Sequence, residues 1–152
     1  MTFTAGTDGP GYDRVLRLMV DVFAASRFLR DYPVLAVTNQ RDEILAVAYI
    51  NPPRAIPFPP ELEQRYEELG NALGPDGNDR LRQLRDTWKS FHLDEPHYHL
   101  GMIGVRHANR GEGHGRRLLE RLHDVSLADP ESAGISLTTE APSNVPLYQH
   151  FV

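Results

Sequence analysis

The chain has 152 residues, 40% of them hydrophobic and 24% charged, with a formal net charge of −5 and no cysteine. That length suits one ordinary domain with a real core, the negative charge argues against sequence-independent binding to DNA or RNA, and the lack of thiols excludes disulfides, thiolate nucleophiles and zinc–cysteine sites. No apolar stretch reaches the roughly 18–20 residues of a membrane helix, and MTFTAGTDGPGYD has no basic patch followed by an apolar run, so a soluble cytoplasmic protein is the expectation.

A short strand is expected at Thr2–Ala5, then the clearest helix, in which Val15, Leu18, Met19, Val22 and Phe23 recur with helical spacing. It should end by Asp31, before Pro33. Val34–Thr38 and Ile44–Ile50 read as a hairpin around the polar Asn39–Glu43. The second run, ILAVAYI, is apolar on both alternations, as in a central strand covered on both faces. Five prolines in Asn51–Pro60 interrupt regular structure. A helix from Pro60 would present Leu62, Tyr66, Leu69 and Leu73; the turn Gly74-Pro75-Asp76-Gly77 would separate it from a second helix with Leu81, Leu84, Trp88 and Phe91. Both are expected as an insertion between strands of a single domain, 1–152, whose tips, with Pro52–Pro60, would wall a pocket. His97–Val105 reads as a strand. A glycine bend follows, then a helix with Leu118, Leu119, Leu122 and Val125 buried, a strand at Gly134–Thr139 and a helix starting at Asn144.

The bend in GVRHANRGEGHGRRLLERLHD carries the chemistry. The first backbone N–H groups of a helix lack partners and sit at the positive end of its dipole, so a glycine-rich strand-to-helix bend is an anion site. Glycine lets a phosphate approach the backbone with no Cβ in the way. Arg110 precedes the bend, Gly111, Gly113 and Gly115 alternate through it, and Arg116 and Arg117 open the helix; Glu112 has the wrong sign and is expected to point to water. The alternative is a tight turn that satisfies φ > 0 and nothing else. A Walker loop would end Gly-Lys-Ser/Thr where this bend has Gly-Arg-Arg, and a dinucleotide fingerprint would be Gly-x-Gly-x-x-Gly near the chain start.

Arg110, Gly113 and Gly115, directly after LGMIGV, resemble the Arg/Gln-x-x-Gly-x-Gly/Ala signature of the GNAT acyltransferase superfamily. HYHLGMIGVRHANRGEGHGRRLLERL and SLTTEAPSNVPLY resemble its puromycin acetyltransferase-like branch, with Asn144 four residues before Tyr148; the likeness covers about residues 91–151. The resemblance implies an α/β (α+β) fold with a mixed, mostly antiparallel central sheet flanked by helices and a helical insertion before the central strand. It implies acetyl-CoA as donor substrate and a primary amine of a small molecule as acceptor. The backbone of Met102, Ile103, Gly104 and Val105 would bind the pantetheine arm. The segment Arg110, Gly111, Glu112, Gly113, His114, Gly115 and Arg116 would bind the pyrophosphate, and Asn144 the pantetheine or amine side. Tyr148 would protonate the departing thiolate, as suits a phenol with pKa near 10, and a strand N–H would stabilise the oxyanion.

Each role has a plainer counterpart. Tyr148 in VPLYQHF would otherwise be a core tyrosine with a satisfied hydroxyl, and Asn144 would cap its helix. Glu95, His97 and His99 are the candidate bases, Glu95 and His97 ranked first, with a water relay as the alternative. His97 and His99 share a strand face; with His92 or His107 they would suggest a metal, but no third ligand is set by spacing, so none is assigned. The family follows its tyrosine with Gly-Phe and a final pair of strands, whereas this sequence ends at Phe151-Val152. The expected consequence is an exposed edge on the 134–139 strand that suits a homodimer. A catalytically weak acyl-CoA-binding regulatory module is the alternative function; a phosphate- or metal-binding domain without coenzyme comes third.

Overall fold

The computed structural model describes residues 12–91, 93–139 and 141–150. They fall into two compact units: one runs to Asp31 and from Ile56 to His92, the other spans Tyr32–Ala55 and everything from Leu93 on. The expected strand at Thr2–Ala5 lies outside the described residues. Among those described, no helix is long and apolar enough to cross a membrane.

The first unit is a helix pair, α1 (Tyr12–Phe28) and α2 (Pro60–Ser90). The apolar stripe of α1 does what its spacing requires. Met19 and Val22 are buried with Leu69 and Leu81, while Val15, Leu18, Phe23, Tyr66 and Leu73 pack around them. Ser26, the one buried polar residue of α1, donates its hydroxyl proton to the Phe23 carbonyl at 2.8 Å. The two expected helices are present but meet at a kink rather than across a 74–77 turn: Gly74 alone leaves helical geometry (φ 68°, ψ 180°) and Pro75 restarts the helix. Proline needs no N–H at a first helical position, so the restart takes no loop. The Asn78 side-chain amide donates to the Gly70 carbonyl at 2.8 Å and repairs part of the interrupted ladder. Past the kink the expected stripe fails. Leu81 is the last α2 residue in the buried cluster, and Trp88 and Phe91 are 36% and 69% exposed. Apolar spacing offers a face for burial, but it does not ensure that the far end is covered.

The second unit is a four-stranded sheet in the order β1 (Val34–Thr38), β2 (Ile44–Asn51), β3 (Tyr98–Val105) and β4 (Ile135–Leu137). The first two pairings are antiparallel and β3–β4 is parallel. The β1–β2 hairpin is set by Asn39, whose side-chain oxygen accepts the Arg41 and Glu43 N–H groups at 2.9 and 3.1 Å, while Asp42 takes φ 59°. Helix α3 (His114–Ala128) packs one face: Leu118, Leu119 and Leu122 bury against Ala46, Ala48, Ile50, Tyr98 and Leu100. Removing the Leu122 side chain there would cost about 2–5 kcal/mol. β2 is interior, as its sequence suggests, but its alternate residues Leu45, Val47 and Tyr49 are only half-buried, so one face is fully covered and not two. β3 starts at Tyr98, and the Gly134–Thr139 strand shrinks to three residues. Asn144 closes a 3-10 turn (Pro142–Asn144) ahead of the short helix α4 (Val145–Gln149).

Candidate active site: a divided strand and an uncapped glycine turn

The parallel pair β3–β4 holds only over Tyr98–Ile135, His99–Ser136 and Leu100–Leu137. At that level β3 also changes. Ile50 pairs with Leu100, but the next β2 residue back, Tyr49, pairs with Met102, so Gly101 is the extra residue of a bulge. The bulge keeps both halves of β3 on the core: Tyr98 and Leu100 before it are buried, and Ile103 and Val105 after it pack on the same cluster. From Gly101 to Val105, β3 keeps β2 on one edge while the described residues put no strand on the other. Among the described residues, no strand therefore uses the outward backbone donors and acceptors along that edge. The assigned residues Met102, Ile103, Gly104 and Val105 all lie on this stretch, and a Cβ built on Gly104 would meet nothing within 4 Å.

Arg106 bonds back to the Leu45 carbonyl at 2.8 Å, a 3-10 turn spans His107–Asn109, and the glycine bend follows. Gly111 and Gly113 take φ 84° and 78°, which side chains rarely adopt. Gly113 is the N-cap of α3 and makes no side-chain cap bond. The first bond of the helix is Arg117 N–H to the Gly113 carbonyl at 3.1 Å. The N–H groups of His114, Gly115 and Arg116 therefore point out of the helix end with no intrahelical acceptor. Gly115 differs from the other two: its φ is ordinary, and an added Cβ would sit 3.7 Å from Val105 Cγ2, a normal contact. The fold does not require glycine at 115, whereas close approach of a phosphate to the backbone does.

The charges are not as simple as the sequence suggests. Arg110 is exposed, and Arg116 donates to Glu120 at 2.8 Å. Glu112 does not simply point to water: it is about half exposed, but its Oε2 accepts a hydrogen bond at 3.0 Å from Nε2 of the buried His114. A carboxylate two residues from an imidazole on a tight turn finds it before it finds solvent.

The candidate bases separate. Glu95 is exposed, and its backbone carbonyl accepts a hydrogen bond from His97 Nδ1 at 2.7 Å, which leaves Nε2 as the basic nitrogen of a neutral ring. His97 lies just before β3 and His99 within it. His99 Nδ1 is 2.9 Å from Ser136 Oγ, and His99 pairs in register with Asn51, whose side-chain oxygen is buried without a hydrogen-bond partner. Asn51, His99 and Ser136 thus form a polar row across three strands on one face, immediately before the bulge. The sequence reading missed Asn51, Ser136 and Gly101; a glycine inside an apolar strand was the available signal for the bulge. On the buried side, the Tyr98 hydroxyl donates to Asp129 at 3.0 Å, and burial first, then that carboxylate, push its phenol above the ordinary range.

Asn144 precedes α4 but does not cap it with its side chain; its amide lies 3.4 Å from Thr139 Oγ1. The cap is lost because Asn144 itself has helical dihedrals (φ −86°, ψ −16°). Tyr148 is half-buried against the sheet–α3 core. In the helical unit, a groove of about 1060 Å³ lined by residues including Asp13, Arg17, Asp21 and Glu68 contains none of the assigned residues. Among the described residues no group of three or more His, Asp or Glu is arranged to hold a metal ion.

The sequence matches no protein-family model and no curated protein. The structure is similar to a solved structure from Corynebacterium glutamicum described as histone acetyltransferase HPA2 and related acetyltransferase. The TM-score is 0.58 at 20% identity, over 97% of this chain and 66% of that one. This chain thus spans just under two thirds of that protein. A variant of the BH1408 protein from Bacillus halodurans aligns with a TM-score of 0.47 at 16% identity, over 92% of this chain and 83% of the other. At such identities the first likeness is one of fold: a mixed, mostly antiparallel sheet with helices, found in an acetyltransferase.

Proposed function

We propose that the chain is an acetyl-CoA-dependent N-acetyltransferase of the GNAT type that acts on a primary amine of a small molecule. One observation carries the reading: β3 leaves β4 at a bulge, has no described strand on its other edge for five residues and leads into a helix N-terminus with two positive-φ glycines and no side-chain cap bond. The free edge suits an extended amide-bearing arm such as pantetheine, and the uncapped N–H groups of 114–116 suit a pyrophosphate. Arg110 adds positive charge beside it, and Asn144 stands beside Thr139 to receive the arm or the amine.

The transfer forms a C–N bond at the acyl carbon and breaks its C–S bond. Two protons then have to be handled by the protein. Tyr148 delivers one to the sulfur as it leaves. The acceptor's proton goes to the histidine end of β3, with Glu95 and His97 at its head. His99 stands two residues nearer the bulge, backed by Ser136. An N–H at the bulge takes the oxyanion.

The test is acetyl transfer from acetyl-CoA to a panel of polyamines, amino-nucleosides and aminoglycosides. Turnover with any of them, lost in Tyr148→Phe with coenzyme affinity intact, supports the reading. Coenzyme binding with no acceptor turned over points instead to an acyl-CoA-binding regulatory module.

A further inference from the structure

Glu112 and His114 are an odd pair to find in an anion site, and the coenzyme reading does not use either side chain. His114 is 6% exposed, the most enclosed residue of the bend. Its Nε2 lies 3.0 Å from Glu112 Oε2, and its Nδ1 is buried with no hydrogen-bond partner. A neutral ring must carry its proton on Nε2 to make that bond, which strands the lone pair of Nδ1 in the interior. An apolar side chain would fill the space without an orphaned nitrogen, so packing alone does not account for a histidine here. What the ring adds is a fixed donor for the carboxylate. Asn109 Nδ2 also approaches the same carboxylate, 3.4 Å from each oxygen. Glu112 itself stands between Gly111 and Gly113, both at positive φ, where its carboxylate would otherwise compete for the N–H groups at the start of α3 or repel an incoming phosphate.

We infer that His114 is a positioning residue: it holds the Glu112 carboxylate clear of the N–H groups of 114–116, so that the Glu112–His114 pair sets the affinity of the bend for a pyrophosphate. This rests on the coenzyme reading above. Without the His114 bond only the longer Asn109 contacts hold the carboxylate, and it can fold over the helix end as an internal cap, the role that acidic side chains take at helix N-termini.

Calorimetric titration of CoA into the intact chain and into His114→Ala, His114→Gln, Glu112→Gln and the double variant Glu112→Gln/His114→Ala tests it. His114→Ala should weaken CoA binding about tenfold, the range for losing a hydrogen bond to a charged group. His114→Gln, whose side-chain amide can still donate, should recover most of the loss. Glu112→Gln alone should bind a few fold tighter, and in that background His114→Ala should cost little, because no carboxylate remains to be held. Any loss of packing at the buried ring is the same in both backgrounds and cancels in the comparison. An equal penalty for His114→Ala with and without the Glu112 carboxylate overturns the inference while leaving the coenzyme site standing. A folded wild-type chain that binds no CoA overturns both. In the free protein, ring ¹⁵N shifts of His114 should show protonated Nε2 and should change on Glu112→Gln; an unchanged ring would contradict the pairing without reference to any ligand.

Discussion

Gly74 and Gly113 have nearly the same φ, 68° and 78°, and each stands immediately before a helical segment. We assign an anion site to only one of them. Gly74 is followed by Pro75, which has no N–H to present, and what precedes it is another helix. Gly113 is followed by three residues whose N–H groups have no intrahelical acceptor, and upstream of the bend lies a strand that, past Leu100, has no described strand on one edge. A positive-φ glycine therefore says only that the chain turns. The residues after the turn, and the element before it, decide whether the turn can hold a ligand.

The broadest way to break this contrast is through the tyrosines of the two units. Tyr148→Phe should reduce kcat by about 100-fold or more, the usual scale for a lost general acid, and leave acetyl-CoA affinity in place. Tyr66→Phe in the helical unit should leave both unchanged. Equal effects would remove the assignment of chemistry to the sheet unit. Next are the glycines themselves. Gly113→Ala and Gly74→Ala should each lose about 1–3 kcal/mol of stability in denaturant titrations, since both force an alanine to positive φ with no clash to add. Only Gly113→Ala should weaken acetyl-CoA binding, by roughly tenfold or more, as its methyl enters the open space where the phosphate would lie.

Gly115→Ala sharpens the point, because stability and binding should move in opposite directions. The position is helical and has room for a methyl group, so stability should rise by about 0.5–1 kcal/mol. Binding should fall several-fold if the backbone there must approach a phosphate. A variant that binds as well as wild type would make Gly115 an incidental glycine.

The smallest effect concerns pH. Tyr98 is buried with its hydroxyl on Asp129, and its phenol is raised above the ordinary value. The folded chain holds this proton to higher pH than the unfolded chain does. Its contribution is therefore complete below the unfolded pKa of about 10 and is lost as pH rises through the folded one. Urea unfolding at pH 8 and at about pH 10.5 should show a steeper alkaline loss in wild type than in Tyr98→Phe. Tyr66 is likewise raised, by burial against the opposing pull of Arg27, Arg30 and Arg85, so Tyr66→Phe should also flatten the alkaline limb.

The elements legible in the sequence are those whose information is local. The α1 stripe, the Asn39 hairpin and the Leu118–Leu119–Leu122 face are written in consecutive residues, and each folds as its spacing requires. The glycine bend was legible for the same reason, down to the residues that open α3. The bulge at Gly101 was not, because a bulge is a relation between β3 and its partner β2, and it appears only when Leu100 and Met102 are both placed against that strand. The end of β4 at Leu137 depends on where β3 turns away, a contact separated by the whole of α3, so hydropathy extended the strand too far. The exposed Trp88 and Phe91 show the converse error, a face with the right spacing whose far end stays exposed. The placement of Glu112 on His114 is short in sequence but set by two positive-φ glycines, which make neighbours of side chains that helical or strand periodicity keeps apart.

The most direct test of the central claim is the backbone ¹H–¹⁵N spectrum of the intact chain as CoA is added. The amides of Gly113, His114, Gly115 and Arg116 should move most, those of Ile103 to Val105 next, and those around Gly74 should stay in place. CoA that binds without moving the four amides at the start of α3, or that does not bind the folded chain at all, would contradict the assignment of this turn to the pyrophosphate.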